Sequence, residues 1–124
     1  MSEADNIDLV RRFCAAWAEV DIPKILDFFT DDAVYHNMPL QSIQGKDAIR
    51  SVIEQFMAPF ERCDWEIRQI AGAGDVVLTE RVDRFFGGEK KVELPVMGVF
   101  EIRGGKIAAW RDYFDLAAWM RQVS

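Results

Sequence analysis

A chain of 124 residues is the size of one ordinary domain and can bury roughly two thirds of the surface its unfolded form exposes, so a single domain over 1–124 is expected. Half the residues are hydrophobic, nine Phe and four Trp supply bulky core or pocket material, and a formal charge of −6 with scattered Lys and Arg argues against nucleic acid as a partner. The start MSEADNIDLV lacks the basic-then-apolar order of a signal peptide and no apolar run approaches membrane-spanning length, so a cytoplasmic protein without a membrane partner is expected.

Taken in chain order, Ile7, Val10, Phe13, Cys14, Trp17 and Val20 recur at three and four residues, the spacing of an amphipathic helix, with Asp5 or Asn6 as its expected cap. A second, short helix is expected from Ile22-Pro23, with Pro23 tolerated in its first turn, Ile25, Leu26, Phe28 and Phe29 inward, and TDD at 30–32 ending it. An extended piece, AVYHNMPL, leads through a turn into a third helix from about Lys46 to Ala58, closed by Pro59. The period then changes. Asp64 to Ala71, Val76 to Phe86, Lys91 to Ile102 and Lys106 to Phe114 read as strands joined by the turns AGAGD, GGEK and RGGK, and LAAWMRQ adds a last helical turn or two. Helices followed by a meander point to an α+β domain. A long mixed or antiparallel sheet covering three helices must curl around them, leaving a deep pocket between its concave face and the helices.

One residue looks out of place in that pattern. Asp112 stands between Trp110 and Phe114 at strand spacing, on a face that Ala108 also makes apolar. A lone carboxylate there is costly to desolvate, so it needs a partner. On VVLTERVDRFF, the residues Val77, Thr79, Arg81, Asp83 and Phe85 share one face. If that face is concave, Arg81 and Asp83 enter the interior with Asp112, while Val92, Leu94, Val96, Gly98 and Phe100 line it from the next strand. Arg81 carries a planar fork of donors able to hold a carboxylate on either side.

From the pattern alone, a structural Arg81–Asp83 ion pair is the stronger reading. His36 has no second His or Cys at ligand spacing, so no metal site is expected, and Cys14 and Cys63 read as free thiols. Tyr35 and Asn37 share a face and could point polar tips inward, although Asn is commoner in turns. Phe56, Phe60, Phe114 and Trp119 are core material unless a pocket exists.

YHN at 35–37, RVD at 81–83, LPVMGVF at 94–100 and GKIAAWRDYFD at 105–115 together resemble the limonene-1,2-epoxide hydrolase family, within the nuclear-transport-factor-2-like and SnoaL-like group of curved-sheet cones. The likeness runs from the first helix through the last. It implies that Asp83, Arg81 and Asp112 form an Asp-Arg-Asp triad and that Tyr35 and Asn37 hold a water. Asp112 is then the base and Asp83 the acid at the epoxide oxygen. It also implies a homodimer, no cofactor, and a small, mostly apolar epoxide walled by Phe56, Phe60, Phe85, Leu94, Val96, Phe114 and Trp119. Ending soon after Trp119, the chain is expected to leave one wall more open.

The chemistry suits these residue types. Epoxide opening needs a proton delivered to the ring oxygen and another removed from the attacking water, so two carboxyls in different protonation states serve it. With one proton shared and Arg81 between them, the group is neutral overall, the low-cost state in an apolar interior. Residue type alone does not say which Asp is the acid. Two other classes share such a cone: a SnoaL-like cyclase or ketosteroid-isomerase-like enzyme, and a non-catalytic ligand-binding module.

Overall fold

The computed structural model describes residues 2–124. The first helix, α1 (Glu3–Ala16), continues into a 3-10 turn at Trp17–Glu19. Its cap is Ser2, in place of the expected Asp5 or Asn6: the Ser2 hydroxyl accepts from the Asp5 amide while the Asp5 carboxylate accepts from the Ser2 amide. This reciprocal pair satisfies two amides at the helix start, which leaves Asp5 inside the first turn. Asn6, also read as a possible cap, is buried and donates to the Gly74 carbonyl.

The second helix, α2, spans only Ile22–Leu26, with Asp21 capping it. TDD at 30–32 does not end this helix; it lies inside β1 (Phe29–Asn37). Phe29 is buried as expected, but from a strand. Pairing with a distant strand decides the conformation there, overriding the local helical spacing. A three-residue strand, β2 (Ser42–Gln44), pairs with β1 and had no signal in the sequence, being too short and polar to show alternation. The third helix, α3 (Lys46–Met57), turns Ile49, Ile53 and Met57 into the core at a spacing of four.

The long strands follow as β3 (Arg62–Ala73), β4 (Val76–Gly87), β5 (Lys90–Arg103) and β6 (Lys106–Tyr113), and α4 (Leu116–Val123) closes the chain. The six-stranded sheet has the order β2-β1-β6-β5-β4-β3. Every neighbouring pair is antiparallel except β1 with β6, which run parallel, so the sheet is mixed. Gly104 and Gly105, both at positive φ (57° and 77°), make the tight β5–β6 turn that an L side chain would strain. Register shifts between Ile67 and Gln69, between Glu101 and Ile102, and between Phe29 and Val34 bend the strands around the helices. The shift opposite Glu101 leaves Ala108 unpaired, and Ile107 takes the buried place that simple alternation assigns to Ala108.

Phe13 on α1 sits at the centre of the core, fully buried and edge-on to Trp17, Phe28, Phe29, Phe100 and Trp110. Each such side chain contributes about 1.5–3 kcal/mol through burial. Cys14 and Cys63 are free and buried, with burial raising both thiols to about 12. Among the described residues no helix is long and apolar enough to cross a membrane.

Candidate active site

The inward face of β4 is the one anticipated: Val77, Thr79, Arg81, Asp83 and Phe85 are all buried. Asp112 finds its partner there. One terminal nitrogen of Arg81, Nη2, donates to Asp83 Oδ2 at 2.9 Å and to Asp112 Oδ2 at 2.8 Å. Arg81 Nε reaches Asp83 Oδ1 at 3.0 Å, making that pair a two-point contact, and Nη1 is spent on Thr79 Oγ1 at 3.0 Å. The guanidinium is fully buried and lies 5.0 Å over the Trp65 ring.

Charge and burial oppose one another in this group. Burial acts against the Arg81 charge, but Asp112 and Asp83 outweigh it and hold the guanidinium protonated more firmly than usual. Burial pushes the Asp83 carboxyl up to about 6; Arg81 pulls against that rise and the nearby Asp112 charge adds to it. Asp83 therefore retains a proton at mildly acidic pH, where an exposed Asp has lost it.

Close packing of these three side chains requires a gap in the strand between β4 and β6, and Gly98 on β5 supplies it. A Cβ at this position would stand 2.8 Å from both Asp112 Oδ1 and Thr79 Oγ1 and would collide with Arg81 Nη1. Gly98 pairs with Thr79 on one side and Asp112 on the other. Glycine is required here by proximity to the triad.

Tyr35 and Asn37 on β1 lie beside it, because the parallel register pairs Tyr35 with Trp110 and Asn37 with Asp112. The Tyr35 hydroxyl donates to Asn37 Oδ1 at 3.1 Å, and burial followed by the Asp112 charge keeps that phenol protonated. These four polar side chains other than Arg81 (Tyr35, Asn37, Asp83 and Asp112) border one cavity. Phe56, Phe85, Leu94, Val96, Phe114 and Trp119 form its apolar wall. Phe60 does not reach it. It stands behind Phe85, ring centroids 5.4 Å apart, and is core.

The cavity is narrower than the deep pocket expected, with a free volume of about 20 Å³. That is room for about one water molecule. Nor is the C-terminal wall open: Trp119 on α4 stacks on Phe56 at 4.6 Å with planes 12° apart. The α4 helix is held down by Gln122, whose amide accepts from the Glu93 N–H at 2.8 Å and donates to the Glu93 carbonyl at 3.0 Å. It thereby pairs with β5 beyond the reach of the shorter β6.

Sequence reasoning missed Trp17 and Trp65, which stack at 4.2 Å and also border the cavity. It also missed the donor role of Trp110, whose indole N–H bonds Asp112 Oδ1 at 2.7 Å. Their only available signal was type and spacing, which read equally as core. His36 faces elsewhere, its Nε2 lying 2.9 Å from the Leu40 carbonyl.

Residues 4–124 match the family model of the limonene-1,2-epoxide hydrolase catalytic domain. This chain belongs to the limonene-1,2-epoxide hydrolase family. Among its relatives is epoxide hydrolase EphG of Mycobacterium tuberculosis (strain ATCC 25618 / H37Rv), 33% identical over 109 residues that cover 86% of this chain and 71% of that protein. Among solved structures, an LEH-like epoxide hydrolase of M. tuberculosis superposes with a TM-score of 0.84 at 30% identity, covering 98% of this chain and 90% of that one. A protein from Jannaschia sp. CCS1 described as a "Putative SnoaL-like polyketide cyclase" superposes equally well, with a TM-score of 0.85 at 16% identity over 98% of this chain and 93% of that one. At that identity the likeness concerns the SnoaL-like fold alone. The fold is thus common to both groups, so it does not by itself say what the chain does.

Proposed function

We propose that this chain is a cofactor-independent epoxide hydrolase that adds water to a small, mostly apolar epoxide in one step, giving a vicinal diol. The observation that carries this reading is the buried Arg81 donating to Asp83 and Asp112 at 2.9 and 2.8 Å, beside a cavity that Tyr35 and Asn37 also border. Family membership supports it. In this mechanism Asp112 removes a proton from a water oriented by Tyr35 and Asn37. The water oxygen bonds to a ring carbon as the opposite C–O bond breaks, and Asp83 delivers its proton to the departing oxygen. Turnover leaves the proton on Asp112 and the charge on Asp83; returning one proton from the first to the second resets the pair. The total charge of the triad never changes, which suits an interior that penalises net charge. Proton transfer next to a carbonyl, as in an isomerase, needs one base and a neutral donor and has no use for an Arg clamped by two acids.

The test uses a panel of cyclic epoxides of graded ring size, with diol as the readout, in buffer with and without a chelator. Diol formation insensitive to the chelator is expected. Activity lost with chelator and restored by a metal would overturn the cofactor-free part, and no diol from any substrate would overturn the assignment. Single-turnover reactions in oxygen-18 water, with enzyme in excess, should place the label in the first diol formed. An unlabelled first diol with label appearing in a peptide holding Asp83 or Asp112 would instead establish an ester intermediate.

The same reading includes a homodimer. Its support is the convex face of the sheet, where Leu78, Met97 and Tyr113 are exposed at 46%, 51% and 45%. Leu78 pairs with Val99, and Met97 with Tyr113, so the four are contiguous across three strands. A shallow hollow of about 190 Å³ beside them is lined by Val82, Pro95, Met97 and Tyr113 together with the charged Arg68 and Glu80. An exposed apolar strip rimmed by charge in this way marks an interaction surface. Sedimentation equilibrium should give twice the chain mass, and Met97→Glu should lower it towards the single chain; a wild-type monomer at micromolar concentration would remove the proposal.

A further inference from the structure

We propose that Trp110 is a positioning residue for the hydrolytic reaction: it fixes the carboxylate of Asp112 and the ring of Tyr35 at once. The inference rests on the reading of Asp112 as the base. Trp110 is fully buried on β6, two residues before Asp112 and on the same face. Its Nε1–H donates to Asp112 Oδ1 at 2.7 Å while Arg81 Nη2 donates to Asp112 Oδ2 at 2.8 Å. Each carboxylate oxygen therefore accepts one bond from a buried donor, and the two donors come from different strands. The plane of the carboxylate is set between them, leaving the remaining lone pairs for the water.

The flat faces of the indole do the second half. Tyr35 stacks on one side with centroids 4.3 Å apart and planes 11° apart, and Phe100 lies nearly parallel at 5.7 Å and 13°. The indole cannot turn without breaking this stack, so its N–H direction is fixed. The same contact fixes the plane of Tyr35, whose hydroxyl is tied to Asn37. All three groups assigned to the water thus take their orientation from one ring. A Phe at this position could fill the space and stack, but it would leave Asp112 Oδ1 without its donor.

The cleanest test replaces Trp110 with β-(3-benzothienyl)alanine, which keeps the bicyclic shape and exchanges the N–H for sulfur, alongside the simpler Trp110→Phe. Diol formation should show kcat reduced roughly 10- to 100-fold with KM changed by less than about twofold. A purely structural Trp110 would leave kcat unmoved in the isostere, which keeps shape and stacking. An isostere variant with wild-type kcat would overturn the proposal while leaving Asp112 as the base. If Trp110→Phe fails to fold, the isostere decides alone. A wild-type protein that makes no diol from any epoxide removes the underlying reading, and this proposal with it.

Discussion

Asp112→Asn is expected to remove nearly all diol formation, lowering kcat by roughly 10²- to 10⁴-fold, the usual worth of a general base. The variant keeps the side-chain volume, so far-UV circular dichroism should be unchanged. Its effect reaches beyond the base itself. The Asp112 charge is one of the causes that keep the Asp83 carboxyl up at about 6. Burial is the main cause of that rise and remains in the variant, so losing the Asp112 charge lowers the Asp83 carboxyl only in part and weakens the acid as the base is lost. In the wild type the same logic gives the alkaline limb: as pH rises beyond the range where Asp83 holds its proton, kcat should fall. Steady-state kinetics from pH 4 to 9 checks both statements. A folded Asp112→Asn within tenfold of wild-type turnover would exclude the base role, and a wild-type rate rising steadily through that range would exclude Asp83 as the acid.

Arg81→Ala should be the most destabilising single change at the site, costing about 3–5 kcal/mol, or roughly 10–20 °C in Tm for a chain of this size. Its two ion pairs join side chains that are only 0%, 4% and 6% exposed, so solvent screening does not reduce them. Removing the guanidinium leaves both carboxyls in an apolar interior without a counter-charge. The loss should depend on pH in a definite direction. Asp83 in the folded wild type sits near 6, above the ordinary carboxylate range, so its contribution to stability is fully present below about 4 and is lost as pH rises through 6. Without Arg81 this decline steepens, because nothing then opposes the burial cost of the charged form. Thermal melts of both proteins at pH 4, 5, 6 and 7 test it. A deficit that is constant across this range, or a Tm within 2 °C of wild type, would show that Arg81 does not compensate the buried acids.

Much of this site was legible in the sequence. Period-two alternation placed Arg81 and Asp83 on one face of their strand, and the same spacing put Asp112 on the face of Trp110. The resemblance carried by YHN, RVD and WRDYFD then brought Tyr35 and Asn37 in. Less legible were positions where one residue type serves two purposes. Trp17, Trp65 and Trp110 are large and apolar at core spacing, and nothing in a sequence distinguishes an indole N–H aimed at a carboxylate from one that is not. Phe60 differs in the opposite sense: its type suited the wall, and its place in the connection between α3 and β3 puts it behind Phe85.

The sequence by itself determined the elements whose period is long and unbroken: α1, α3 and the four strands of the meander, with their inward faces. Periodicity is a local property, repeated often enough in these segments to outweigh exceptions. Tertiary structure alone decided the rest. The parallel pairing of β1 with β6 joins residues some seventy-five positions apart in sequence, Tyr35 to Trp110 and Asn37 to Asp112, and no local signal encodes it. That pairing holds β1 at Phe29 and again from Val34, on either side of 30–32, and sets Tyr35 and Asn37 beside the triad. The closed state of the cavity is likewise tertiary, since it depends on Gln122 docking α4 onto the uncovered length of β5 and on Trp119 meeting Phe56. Which residues could do the chemistry follows from side-chain type. Whether they meet depends on strand register, which only the whole chain's packing sets.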